Sequence, residues 1–142
     1  MIDFTYFNPE KEAETNLFLV KTIPSLLAEE NKEEGEISLV FCTDEELLQV
    51  NKDHLNHDFY TDIITFDYCE GNTISGDLFI STERVAANAT EFGVDFEEEL
   101  ARVVFHGLLH LSGYNDKSEE DKAIMRSKEN HYLNKLFHVK QA

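Results

Sequence analysis

Proline, glycine and cysteine are scarce in this chain of 142 residues: two prolines, six glycines and two cysteines. So few chain breakers exclude a low-complexity polymer, and the remainder is ordinary for a globular protein, 42% hydrophobic and 11% aromatic. Cys42 and Cys69 form neither a CxxC pair nor an even framework. Two unpaired thiols in a cytoplasmic chain are the simplest reading. No run of eighteen apolar residues occurs, so no helix is expected to cross a membrane. The opening MIDFTYFNPEKE lacks a basic segment and an apolar segment, so no secretory leader is expected. A chain of this length is expected to fold as one domain, 1–142, around a single core.

Basic residues are the other shortage. Twelve Lys and Arg face twenty-nine Asp and Glu, a formal net charge of −17. That balance predicts solubility and repulsion from nucleic acid and anionic membranes. The shortage is uneven: from Lys117 to Ala142 six basic residues meet four acidic ones, against six and twenty-five before Lys117. The C-terminal segment reads as a solvated helix of mixed charge.

What is present is an alternation of short apolar runs and amphipathic stretches. Ile2–Phe7 suits a short strand, and Asn8-Pro9 reads as the cap and first position of a helix. That helix carries Ala13, Leu17, Val20, Leu26 and Leu27, and Pro24 is expected to bend or break it. Glu29–Gly35 reads as a polar connector, and Ile37–Cys42 as a buried strand. Thr43-Asp44-Glu45-Glu46 forms a capping box that opens a helix to about Leu55. Asp62–Phe66 and Asp77–Ile80 are two further strands, and Gly71-Asn72 between them signals a turn; a hairpin or a longer excursion would fit, with antiparallel pairing favoured. Thr82–Phe92 reads as a helix closed by Gly93. Asp95-Phe96-Glu97-Glu98 suggests a second capping box, and Ser118-Glu119-Glu120-Asp121 caps a final helix bearing Ile124, Met125, Leu133, Leu136 and Phe137. The expected fold is a small α/β (α+β) domain with about four strands in a mixed sheet and about five helices.

The stretch HGLLHLSGYND, His106 to Asp116, carries the chemistry. On a helical wheel Leu100, Val103, Val104, Gly107, Leu108 and Leu111 form one apolar stripe, widened by Ala101, Phe105 and Leu109. Glu99, Arg102, His106 and His110 share the remaining polar strip. Histidines four apart can aim at one ion, though such a pair also occurs with water or backbone as its only partners. Gly113 can end the helix in a left-handed turn and bring Asp116 back beside the pair. A His106, His110, Asp116 set leaves a position open for water, as catalytic zinc sites do, with Zn²⁺ favoured and another divalent ion compatible.

This stretch resembles the signature of the YbeY family, bacterial metal-dependent endoribonucleases, whose pattern is roughly HGxLHLxGYDH. TDIITF (Thr61–Phe66) is similar to the family's TDVLSF strand, GDLFIS (Gly76–Ser81) to its GDIxIS strand, and MRSKEN (Met125–Asn130) to its MxxxE helix segment. The resemblance implies a compact α/β fold with a zincin-like histidine helix in its core. It implies a zinc-dependent, single-strand-specific endoribonuclease of 16S rRNA 3′-end maturation and ribosome quality control, with ribosomal RNA and the ribosome as partners. DNA and membranes are not expected partners. His106 and His110 match the first two family ligands, and Asp116 stands where the third is a histidine. Carboxylate oxygen binds zinc at nearly the imidazole distance. His54, His57, His131 and His138 are weaker candidates for replacing that third ligand.

The family also has an arginine shortly before the TDVLSF strand, and the matching residue here is Leu55. Lys52 is the nearest cation in sequence, which weakens the case for charge stabilisation from that position. Two rivals stand beside the nuclease. HxxxHxxGxxD also resembles zinc peptidases, but Gly107 occupies the place of their glutamate base. A metal-stabilised ribosome-assembly factor that does not cut RNA would fit the charge of −17. No general base is assigned.

Overall fold

The structure, a computed structural model, describes residues 2–6 and 12–137. In chain order the elements are β1 (Ile2–Tyr6), α1 (Glu12–Glu29), β2 (Glu33–Cys42), α2 (Asp44–Leu55), β3 (Ile63–Asp67), β4 (Thr73–Ser81), α3 (Thr82–Phe92), α4 (Phe96–Leu111) and α5 (Glu119–Phe137). The expected Asn8-Pro9 helix start and His138 lie outside the described residues, as do the side chains of Ala13, Leu17, Val20 and Phe137.

One mixed sheet has the order β1-β2-β4-β3. The first two neighbouring pairs are parallel and β3 with β4 is antiparallel, as the Gly71-Asn72 turn suggests. Glu70 and Thr73 exchange both backbone hydrogen bonds across that two-residue turn, and Gly71 takes φ 57°. The local rules hold at α2, where Thr43 and Glu46 complete the reciprocal capping box, and at α3, which Gly93 closes in the left-handed conformation.

Four expectations need correction. The helix α1 is not broken at Pro24 but runs through it. Pro24 is exposed, so the carbonyl that loses its partner can turn to water, while Ile23, Leu26 and Leu27 on the other face are fully buried. The connector Glu29–Gly35 is mostly structured: α1 extends to Glu29, Asn31 turns the chain at φ 59°, and β2 begins at Glu33. Glu33 and Glu34 pair with Thr73 and Ile74, so long-range hydrogen bonding overrides their polar composition. Asp95 caps α4 without a side-chain hydrogen bond; its charge, with those of Glu97, Glu98 and Glu99, still suits the positive end of the helix. On α5, Ile124 is exposed, and the packing side is Met125, Tyr132 and Leu133.

Strand alternation divides the core. Leu78 and Ile80 of β4 enter the main cluster with Leu100, Val104, Phe105 and Leu108 of α4. Phe79 points the other way and packs, with Ile64 and Phe66, against Leu47 of α2. The helix α4 touches α1, α3, α5, β3 and β4. It lies that close to the sheet because residue 107 has no side chain: a Cβ there would come within 2.8 Å of both Ile63 Cδ1 and Leu78 Cδ2. Replacing Gly107 by Val should overpack this contact and cost about 1–3 kcal/mol, read as a lower urea midpoint with an unchanged slope.

Candidate functional site

With Gly107 against the sheet, the preceding residue points away from it, and His106 looks into a cleft between α4 and α5. The cleft holds about 480 Å³. Glu99, Arg102, Val103 and His106 form its α4 wall, and Lys122, Met125, Arg126 and Glu129 its α5 wall. Both sets follow the i, i+3, i+4, i+7 spacing that puts residues on one helical face. Asp62 and Ile63 at the start of β3, Asn88 and Phe92 of α3, and Asp116 complete the lining.

Asp116 reaches the cleft because α4 is stopped and reversed. The amide of Tyr114 donates to the Leu109 carbonyl at 3.0 Å, and Gly113 takes φ 112°, which a side chain would strain. The next residue is then anchored: Tyr114 donates through its hydroxyl to Glu30 Oε1 at 2.7 Å. Lys128 (3.3 Å) and the Tyr132 hydroxyl donate to the other oxygen of the same carboxylate. Burial pushes the Glu30 carboxyl up, but the donors Tyr132, Tyr114 and Lys128 more than offset it and hold it below the ordinary range. The network ties the turn to both α1 and α5.

His106 is gripped from both sides. Its Nδ1 lies 2.8 Å from Glu129 Oε2, and its Nε2 lies 3.3 Å from Asp116 Oδ2. Glu129 is 5% exposed, and its other oxygen accepts from Arg102 Nη1 at 2.9 Å, while Arg102 Nη2 donates to Asn130 at 2.8 Å. An ionised carboxylate only accepts, so Nδ1 carries the proton, and in neutral imidazole the Nε2 lone pair faces Asp116. The Glu129 hydrogen bond raises the basicity of His106 against burial, which opposes it. Burial also pushes the carboxyls of Asp62 and Glu99 above their ordinary range.

The structure therefore brings two of the three sequence candidates together. His110, one turn on, is exposed and does not line the cleft. Among the described residues no three His, Cys, Asp or Glu side chains converge as a metal-binding group. Leu55 is 39% exposed at the end of α2 and does not line the cleft either, and Lys52 pairs with Asp58 at 3.4 Å. His131 faces Glu29 on the far side of α5. Glu129 and Tyr114 lie inside motifs legible in the sequence, yet only the packing reveals what they do.

The chain as a whole has counterparts among known proteins. A family model described as Endoribonuclease YbeY matches residues 6–137. The chain belongs to the endoribonuclease YbeY family. An Endoribonuclease YbeY of Flavobacterium psychrophilum is 52% identical over 142 residues, 99% of each chain. Another, of Flavobacterium johnsoniae, is 49% identical over 99% of this chain and 100% of its own. A solution structure of a Thermotoga maritima protein, 25% identical, superposes with a TM-score of 0.74 over 97% of this chain and 90% of that one. Its likeness matches the four-strand, five-helix arrangement. Family membership makes the chain an endoribonuclease, a hydrolase of RNA phosphodiester bonds.

The Glu30 network yields a pH-dependent prediction. A carboxyl held below its unfolded value of 4.5 contributes stability that is complete above that value and lost as pH falls through the lower folded one. Glu30→Gln should cost about 2 kcal/mol at neutral pH, since it weakens hydrogen bonds to a charged acceptor. Urea unfolding should show the gap to wild type narrowing only below about pH 4.5.

Proposed function

We propose that the chain is a zinc-dependent, single-strand-specific endoribonuclease that works in the cytoplasm on ribosomal RNA, in 16S rRNA 3′-end maturation and ribosome quality control. His106, His110 and Asp116 are its metal ligands. The observation that carries this reading is the His106 geometry: Nδ1 is held by buried Glu129 at 2.8 Å while Nε2 faces Asp116 at 3.3 Å. Metal-binding histidines are oriented in this way, with the non-ligating nitrogen donating to a carboxylate. His110 lies one turn on along the same polar strip and is exposed, at the i, i+4 spacing from which two histidines can serve one ion.

Two imidazoles and a carboxylate suit a borderline divalent ion, and the donor set fits zinc. When bound, the ion supplies a Lewis acid for the phosphodiester and a water of lowered pKa. The chain's residues do the rest. Glu129 and Arg102 hold the His106 ring in one orientation and one tautomer. Asp116 is presented by a turn pinned through Tyr114. Gly107 sits where a peptidase would carry its glutamate base, and the 2.8 Å contacts a Cβ would make there leave no room for one. Lys122 and Arg126 on the α5 wall are exposed, which leaves cationic groups accessible to an RNA strand.

Protein with one equivalent of zinc should cleave a single-stranded RNA oligonucleotide, and His110→Ala should abolish cleavage with an unchanged circular-dichroism spectrum. Cleavage surviving that substitution would remove His110 from the site. Glu129→Gln should weaken zinc binding about 10–100-fold, measured by competition with a chromophoric chelator.

A further inference from the structure

The chain has three arginines, and two are held in ion pairs within the fold. Arg84 pairs with Asp44 at 2.9 Å, and Arg102 donates to Glu129 at 2.9 Å and to Asn130 at 2.8 Å. Arg126 is different. It is exposed, it lines the cleft, and among the described residues it has neither an ion pair nor a hydrogen bond. Two of the cleft's carboxylates are engaged elsewhere: Glu129 holds Arg102 and His106, and Asp116 faces His106. The buried Glu99 feels its charge, behind the larger influences of burial and Arg102. In a chain of net charge −17, a guanidinium without a hydrogen bond or ion pair in the cleft of the proposed metal centre is available to an anionic ligand.

We propose that Arg126 is a phosphate-binding residue that takes an RNA backbone phosphate at or next to the bond to be cut, with Lys122 supporting it one turn earlier. The proposal deepens the function proposed above and rests on it. Lys122, Met125, Arg126 and Glu129 lie along one face of α5, with Arg126 about one helical turn before the residue whose carboxylate orients His106. A planar guanidinium can offer two parallel N–H donors to a phosphate, with geometry as well as charge. Lys122 contributes a looser charge: its contact with Glu119 is 3.6 Å between largely exposed groups and is easily exchanged for a ligand. The arrangement also accounts for Leu55. The cationic contact absent from the end of α2 is available from α5, on the opposite wall of the cleft from His106.

The test uses zinc-loaded wild type, Arg126→Ala, Arg126→Lys and Lys122→Ala with one labelled single-stranded RNA, plus RNA binding in chelator at several salt concentrations. Arg126 is exposed, so its variants should keep the fold and the zinc content. Arg126→Ala should lower kcat/KM about 100-fold, and Arg126→Lys should recover part of that. In chelator, the slope of log affinity against log salt should flatten by about 0.7 for the one lost phosphate contact. Lys122→Ala should raise KM with little change in kcat. Arg126→Ala that cleaves and binds like wild type overturns the proposal. So does loss of zinc from that variant, which would make the residue a structural support. Wild type that binds RNA with an Arg126-dependent salt slope but never cuts it would overturn the catalytic reading and leave the phosphate site standing.

Discussion

The approach of α4 to the sheet at Gly107 is the constraint on which the site depends. A helix that touches β3 and β4 through its own backbone has its rotation fixed, because any other face would place a side chain in the gap. Once Gly107 faces inward, Leu108 and Leu111 join the core and His106 is left facing α5. Packing of apolar residues thus aims a polar one. The same contact separates this chain from the peptidases that its histidine spacing resembles, since the position after the first histidine is spent on backbone proximity.

A second layer converts direction into chemistry. Arg102 and His106 lie one turn apart on α4, and both bind Glu129, so the buried carboxylate is matched by two donors. Burying a carboxylate alone would be costly; burying it between a guanidinium and an imidazole is tolerable and fixes all three groups. Glu30 does the same at the other end of the turn, where three donors from residues 114, 128 and 132 meet one carboxylate. In a strongly acidic chain these two carboxylates hold parts of the protein in register.

Much of the fold was legible in the sequence because its signals are local. The Thr43 capping box, the Gly93 closure, the Gly71-Asn72 hairpin and the apolar stripe of α4 each depend on a few neighbouring residues. The misreadings are places where distant partners decide. Glu33 and Glu34 look like a loop until β4 supplies hydrogen bonds, and Pro24 looks like a break until the buried face of α1 holds the helix together. The site divides in the same way. His106 and Asp116 could be paired from spacing and the Gly113 turn, whereas Glu129 could not, because it comes from another helix 23 residues later. Nor did α5 advertise its role: one of its faces lines a polar cleft, so its apolar pattern is weak and Ile124 misleads.

That late position of Glu129 has a consequence for the life of the chain. Residues up to 116 contain the sheet, α4 and both groups that face each other at 3.3 Å, yet the carboxylate that orients the ring and the whole second wall arrive only with α5. A nascent or truncated chain lacking that helix has the histidines but neither their anchor nor a cleft. The ring's orientation and the second wall of the cleft therefore both depend on α5, the last helix to enter the fold.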